Sequence, residues 1–456
     1  MHHSSVNAAE KVDPADKQQN DSNPSRYIAT SNNDAESNSS STLPPVDGGA
    51  QAWLFLAGCF VMEGLVFGLA FSFGVFQDYY STHAPFAGSG GIAVIGTLTT
   101  GLMFLGAPIV LALCRLYPRW ARWFSPMGLS GCFFSLLMTS FCDTVPQLIG
   151  VQGAIFGIAG CFAFCPCVVF TDQWFDKRRG LAFGIWASAA GVGGAGIPPI
   201  LDALLGSVGF RSTLRIISAI FFVLGVPLAW FIKPRIPHDL APKEKLFNFR
   251  SARSRFVLTH QLANVLQACG FYLPNIFLPT FVREQFGTST FLSTLTIMLF
   301  NLSATVGLAG MGALADRFSS TTCVMISATG SALSVFLLWG LSTSLPVVYV
   351  YCIFYGLFAG CWPATWQATK REISQRGEER GYGFVDPVMT FGLLCVGRGL
   401  GSIIAGPLSE ALLRGQPLAG EAFASYGSGY GVLIIFTGIA AVFSGSSFYL
   451  EKLKLL

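Results

Sequence analysis

The chain has 456 residues, of which 52% are apolar and only 11% charged, with a formal net charge of +4 and a mean hydropathy of +0.56. A soluble domain carries about 25% charged residues, so this composition excludes an ordinary soluble enzyme and points to a chain whose solvent is the bilayer. The small positive balance is no sign of nucleic-acid binding, because no basic stripe interleaved with aromatics lies on a soluble face.

Residues 1–46 are rich in Ser, Asn, Asp and Pro and almost lack large apolar side chains. Such a segment cannot bury enough surface to fold and is expected to be a disordered cytoplasmic tail. No basic-then-apolar signal pattern precedes the first apolar stretch, which is therefore expected to direct insertion itself.

Beyond it come twelve apolar stretches, at about 51–77, 91–113, 123–142, 146–170, 180–204 and 211–232, then 257–282, 291–313, 322–342, 345–369, 387–413 and 430–450. Each is close to the roughly 20 residues a helix needs to cross a bilayer. Basic residues mark every second connection, among them Arg115, Arg119 and Arg122, then Lys177, Arg178 and Arg179, then Lys233 to Arg255, Arg317, and Lys370 to Arg380. The alternate connections hold only Arg211, Arg283 and Arg414. The bias of Lys and Arg toward the cytoplasm places both termini there, and a cell-surface membrane is the expected location. The predicted protein is an all-α integral membrane protein of twelve transmembrane helices in two six-helix bundles. Residues 47–232 form the N-terminal bundle, 233–256 a basic, Pro-bearing cytoplasmic linker, and 257–456 the C-terminal bundle. This layout suggests transport through a site at mid-membrane.

Several segments carry chemistry. In Pro45-Val46-Asp47-Gly48-Gly49-Ala50-Gln51-Ala52-Trp53, Asp47 is expected to cap the first helix, Gly48 and Gly49 to allow a tight entry, and Trp53 to anchor at the interface. Glu63 and Arg398 are the two ionisable residues clearly in mid-span, each about eleven residues, or roughly 16 Å, from the cytoplasmic end of its helix. A charge there costs at least about 2.5–3.5 kcal/mol and is normally functional or paired. Arg398 is a candidate to hold an anionic group, with Glu63 pairing with it or carrying a proton. The alternative is a structural pair, or an Arg locked to backbone carbonyls among its glycines. A softer polar set consists of Asn264, Gln267 and Tyr272 in span seven and Trp362, Trp366 and Gln367 in span ten. Pro274, Pro279 and Pro363 are expected to bend these helices and free carbonyls, although simple aromatic packing also explains the tryptophans. Asn301 is the strongly polar group of span eight.

The segment around Asp47 also resembles the Asp-Gly-Gly…Trp signature of the monocarboxylate-porter family in the major facilitator superfamily. Phe73-Gly74-Val75-Phe76-Gln77-Asp78 resembles the fungal branch of that family. Trp174-Phe175-Asp176-Lys177-Arg178-Arg179-Gly180-Leu181-Ala182-Phe183-Gly184, with the small-residue run Ala187 to Gly196, is similar to its second signature. Gly312-Ala313-Leu314-Ala315-Asp316-Arg317 matches the superfamily's loop motif. The resemblance implies the major facilitator fold, a small-molecule substrate, and spans one, four, seven and ten around the cavity. It implies an Asp316–Arg317 pair that braces helices and switches partners. Proton–lactate members carry a Lys in span one and an Asp–Arg pair in span eight; here the first place falls near Phe71, and span eight offers only Asn301 as a strongly polar group.

Export of a small organic metabolite, anionic or aromatic, is the leading expectation. Proton-coupled uptake of a monocarboxylate or vitamin-like acid is the alternative, and a non-transporting nutrient sensor a more distant one. No enzymatic constellation, cofactor or metal site is expected: the histidines are scattered, and Cys161, Cys165 and Cys167 have no His nearby. There is no phosphate-cradling Gly-Lys-Ser/Thr loop, which argues against ATP.

Overall fold

The computed structural model describes residues 44–236, 252–381, 385–416 and 418–454, the side chains of 179 and 180 excepted. The expectations for tail residues 1–43, and for most of the 233–256 linker, lie outside the described residues.

Ten helical stretches are long and apolar enough to cross a membrane. One of them, Leu181–Ala229, has 49 residues and would run about 74 Å, far more than one crossing. Gly209, with φ 75° and ψ 171°, breaks it in two. Pro118–Thr139 adds a helix of 22 residues, which is consistent with the twelve expected spans. In chain order they are α1 Ala50–Thr82, α2 Ile92–Leu116, α3 Pro118–Thr139, α4 Val145–Trp174, α5 179–208 and α6 210–229. The second set is α7 Arg255–Phe286, α8 Thr290–Ala315, α9 Ser320–Trp339, α10 Leu345–Glu379, α11 Pro387–Leu413 and α12 Gly431–Lys452. No strand occurs among the described residues.

The breaks within these helices have local causes. In α1, Ser72 leaves helical geometry, and its hydroxyl donates to the Gly68 carbonyl at 2.6 Å. In α10, the turn at Gly360 and Cys361 precedes Pro363, splitting the helix after Ala359. The prolines of α7 leave it continuous. Each lacks an N–H, so the carbonyl four residues earlier loses its donor; the hydroxyl of Tyr355 reaches that of Gly270, at 3.4 Å.

Helices α1 and α5 pack backbone to backbone. A Cβ on Gly68 would lie 2.7 Å from the Cα of Gly193, so only glycine permits this approach. The small-residue run behaves as expected there, although nothing lies within 4 Å of a Cβ at Gly184. Helices α1–α6 meet α7–α12 mainly along two seams, α2 against α11 and α5 against α8.

One correction concerns Asp47. It does not cap α1, whose N-cap is Gly49 with no side-chain bond. Its carboxylate instead accepts the backbone N–H groups of Asp176, Lys177 and Arg178, each at 2.9 Å. It therefore ties down the turn that leads into α5, at the helix end whose dipole attracts an anion. The N–H of Lys177, with those of Arg178 and Asp176, holds the Asp47 carboxyl below its ordinary value of 3.8. Trp53 is exposed and meets Phe175 edge-on, while Trp174 stacks on Phe55. The two signature segments are thus one structural unit.

A second correction concerns the loop motif. Asp316 and Arg317 are exposed, and no ion pair joins them to any other described residue. The bracing falls to α10: Arg371 donates to the Ala315 carbonyl at the end of α8 (3.0 Å), and Glu372 accepts the N–H of Ser320 (2.7 Å). A cation at a helix C-terminus and an anion at an N-terminus are the favourable placements.

Candidate functional site

A cavity of about 100 Å³ lies between the two sets of helices, with walls from α1, α2, α4 and α5 on one side and α7, α8, α10 and α11 on the other. Its lining is dominated by nine aromatic rings, those of Phe67, Phe71, Phe104, Phe164, Phe183 and Trp186, then Phe271, Trp366 and Phe391. Glu63 and Arg398 both reach it, 6% and 1% exposed, so the two mid-span charges occupy one chamber. No ion pair joins them among the described residues.

Helix α11 is built to present Arg398. On either side of it, a Cβ on Gly399 would lie 2.6 Å from the Leu105 nitrogen of α2, and one on Gly401 would lie 2.6 Å from Ala268 of α7. Between these close contacts the guanidinium lies 4.8 Å from the Phe271 ring centroid, 5.5 Å from Tyr272 and 5.6 Å from Phe104. Its Nη1 donates to Gln267 Oε1 at 3.0 Å, and its Nε has no partner. A side-chain amide, not a ring of backbone carbonyls, therefore holds it. A guanidinium over aromatic faces is stabilised while keeping donors for a ligand.

The other unpaired polar atoms of the chamber are Glu63 Oε2 and the indole nitrogens of Trp186 and Trp366. Buried polar atoms normally find partners, so four without one around a single space describe what an occupant would satisfy. Flat rings supply the area, and an acid, a guanidinium and two N–H donors supply orientation.

The remaining candidates divide. Gln267 positions Arg398 and donates to the Ala359 carbonyl at 3.2 Å, which the break in α10 leaves free. Asn264 donates to the Leu394 carbonyl at 2.6 Å and accepts from Trp362 Nε1 at 3.0 Å. Asn264 and Trp362 satisfy each other and brace α7, α10 and α11 away from the chamber. Tyr272 is buried against Arg398 with a free hydroxyl but does not line the space. Asn301 lines it and donates to the Gly194 carbonyl at 2.9 Å, tying α8 to α5. Trp366 lines it directly. Trp186 and the phenylalanines were not anticipated from sequence; the available signal was Phe183 and Trp186, spaced one helical turn apart beside a run of small residues.

Comparison with known proteins agrees with this architecture. Residues 54–404 match the Major Facilitator Superfamily. The MFS-type transporter pytF of Aspergillus terreus is 32% identical over 279 residues, covering 60% of this chain and 92% of that protein. The MFS transporter asaE of Aspergillus flavus is 28% identical, with 81% and 82% covered. The aspyridones efflux protein apdF of Emericella nidulans is 30% identical, with 69% and 63% covered. Among solved structures, a mutant of the nucleoside transporter NupG shares the fold with a TM-score of 0.63 at 16% identity, covering 87% of this chain and 99% of that one.

Proposed function

This chain belongs to the major facilitator superfamily, and we propose that it exports a flat, weakly acidic organic metabolite by alternating access around the Arg398 chamber. The observation that carries the reading is the set of four unpaired polar atoms inside an aromatic enclosure shared by both sets of helices. Arg398 takes the anionic or acceptor group, the rings take the conjugated body, and Glu63 is the coupling-proton candidate. The apdF relative is named an efflux protein, which supports the direction.

The joined Asp47 and Trp174–Arg178 signatures support a place in the monocarboxylate-porter branch. The distribution of Lys and Arg supports cytoplasmic termini in a cell-surface membrane, with residues 47–232 and 257–456 rocking as two bundles. Uptake driven by protons remains the competing reading, since an unpaired acid in the chamber suits it equally.

Labelled naphthoate, a flat aromatic acid, separates the two in cells expressing the protein, with and without a protonophore. Export predicts less retained label than in control cells and a loss of that difference when the gradient collapses. More retained label would favour uptake. Retention equal to the control and to Arg398→Gln cells would overturn both.

A further inference from the structure

The hydrogen-bond donors of the central chamber are divided between two levels of α11. Phe391 and Arg398 both line the space, and they stand two turns apart, about 10 Å along the helix. The two tryptophans belong to the Phe391 level. Trp366 of α10 meets the Phe391 ring edge-on at 5.5 Å, Phe183 of α5 meets it at 6.4 Å, and Trp186 of α5 meets Phe183 at 5.2 Å. Arg398 belongs to the other level, over the rings of Phe271 and Tyr272. Phe104 of α2 connects the two, its ring centroid 6.4 Å from that of Trp366 and 5.6 Å from the guanidinium. Both indole nitrogens are buried without a partner, one supplied by each set of helices.

We propose that the chamber selects flat acids carrying a neutral carbonyl oxygen at the end away from the acid group, and that the indole N–H groups of Trp186 and Trp366 bind that oxygen. This selection rests on the Arg398 chamber being the transport site, and it narrows the substrate to oxo-substituted aromatic acids. An indole N–H donates and cannot accept, so its missing partner is an acceptor. A buried donor left unpaired is costly, and an occupant that supplies the acceptor is favoured over one that does not. The anion goes to Arg398, because a guanidinium offsets an ion's loss of water and a neutral indole does not. What remains for the tryptophans is an uncharged acceptor. A ketone, lactone or quinone oxygen has two lone pairs and no donor of its own, so it accepts without leaving a new group unsatisfied. A hydroxyl brings a donor that the indoles cannot accept. Two levels two turns apart suit a fused bicyclic body with one group at each end, and the rings between them supply flat walls. Glu63 stays free for the proton.

Two ligands of one shape test this on the full chain in detergent: 6-acetyl-2-naphthoate, and 6-isopropenyl-2-naphthoate, in which a methylene replaces the ketone oxygen. By calorimetric titration, the native protein should bind the ketone roughly 3- to 10-fold tighter, the factor one net hydrogen bond implies. Trp186→Phe and Trp366→Phe each keep a ring and lose the N–H, so each should lower that ratio, and the double variant should abolish it. General damage to the pocket cancels from a ratio of two ligands in the same variant. Equal binding of the two ligands by the native protein would overturn the carbonyl site, whether or not any variant folds. A ratio that survives in the double variant would overturn its assignment to the tryptophans. Arg398→Gln should weaken both ligands alike and leave the ratio standing. If it weakens neither while the ratio still depends on the tryptophans, Arg398 is not the anion site and the carbonyl site stands. If neither ligand binds the native protein, both fall.

Discussion

The two ends of the central chamber are closed by unlike means. Toward the end carrying Asp78 and Arg283, successive layers join the two sets of helices. Phe71 meets Phe271 edge-on at 6.5 Å, then Gly74 rests on the Asn275 carbonyl, where a Cβ would lie at 2.7 Å. Beyond these, Arg283 pairs with Asp78 at 2.8 Å, and the Gly91 N–H donates to Glu410. Toward the opposite end, the Phe183–Phe391 ring pair stands with the Arg115–Asp386 ion pair at 3.3 Å, whose arginine is partly exposed. The first closure brings a glycine against facing backbone and adds charge; in the second, aromatic rings meet beside a longer ion pair. Among the contacts named, the ring-pair end is the thinner wall of the chamber, and basic residues concentrate there.

That contrast can be broken from the thick side. Gly74→Leu is expected to have the largest effect, because a side chain there collides with Ile297 and with α7 backbone. Overpacking of this kind costs about 1–3 kcal/mol, which favours opening by roughly 5- to 150-fold. Labelling of Ala187→Cys, in the chamber lining, by an impermeant maleimide applied from the Asp78 side should rise accordingly. Asp78→Asn should act in the same direction but less. Arg283 retains 27% side-chain exposure, so solvent softens the loss to about 1–2 kcal/mol. The equivalent change at the thin side, Arg115→Ala, should shift access by less than about 1 kcal/mol, since that arginine is similarly exposed and its pair longer.

The smallest effect belongs to Asp47. Its carboxyl is held below the ordinary value of 3.8 by backbone N–H groups, first that of Lys177. A depressed folded value means that the carboxylate's contribution is complete above that ordinary value and fades only as pH falls through the lower, folded one. Thermal stability of the detergent-solubilised protein should therefore show no Asp47-dependent change between neutrality and mildly acid pH. Asp47→Asn should differ from the native chain across that range and converge with it only below about 3.8.

Much of the architecture was legible from apolar length, because a bilayer imposes it. The chamber was legible at Glu63 and Arg398 for the same reason: a charge in an apolar helix stands out and must face something. Partners were harder to read. Asp47 precedes one helix yet binds the turn before another, since a carboxylate needs only nearby N–H groups and the chain does not announce which helix end folds beside it. Asn264 and Trp362 read from sequence as substrate contacts, but each satisfies the other outside the chamber lining. Gln267 turned out to orient Arg398 rather than stand alone. Trp186 went unnoticed because an aromatic residue in an aromatic-rich chain carries little contrast, and its unpaired indole is visible only once α5 and α10 face each other.

The most direct measurement is transport of labelled naphthoate by vesicles containing equal amounts of the native protein or of Arg398→Gln. A hydrogen bond to a charged group contributes about 1.5–3 kcal/mol, so the account predicts a loss of roughly 10- to 150-fold, with the variant still folded and inserted. Native-like transport by Arg398→Gln would contradict the claim that the Arg398 chamber is where substrate binds.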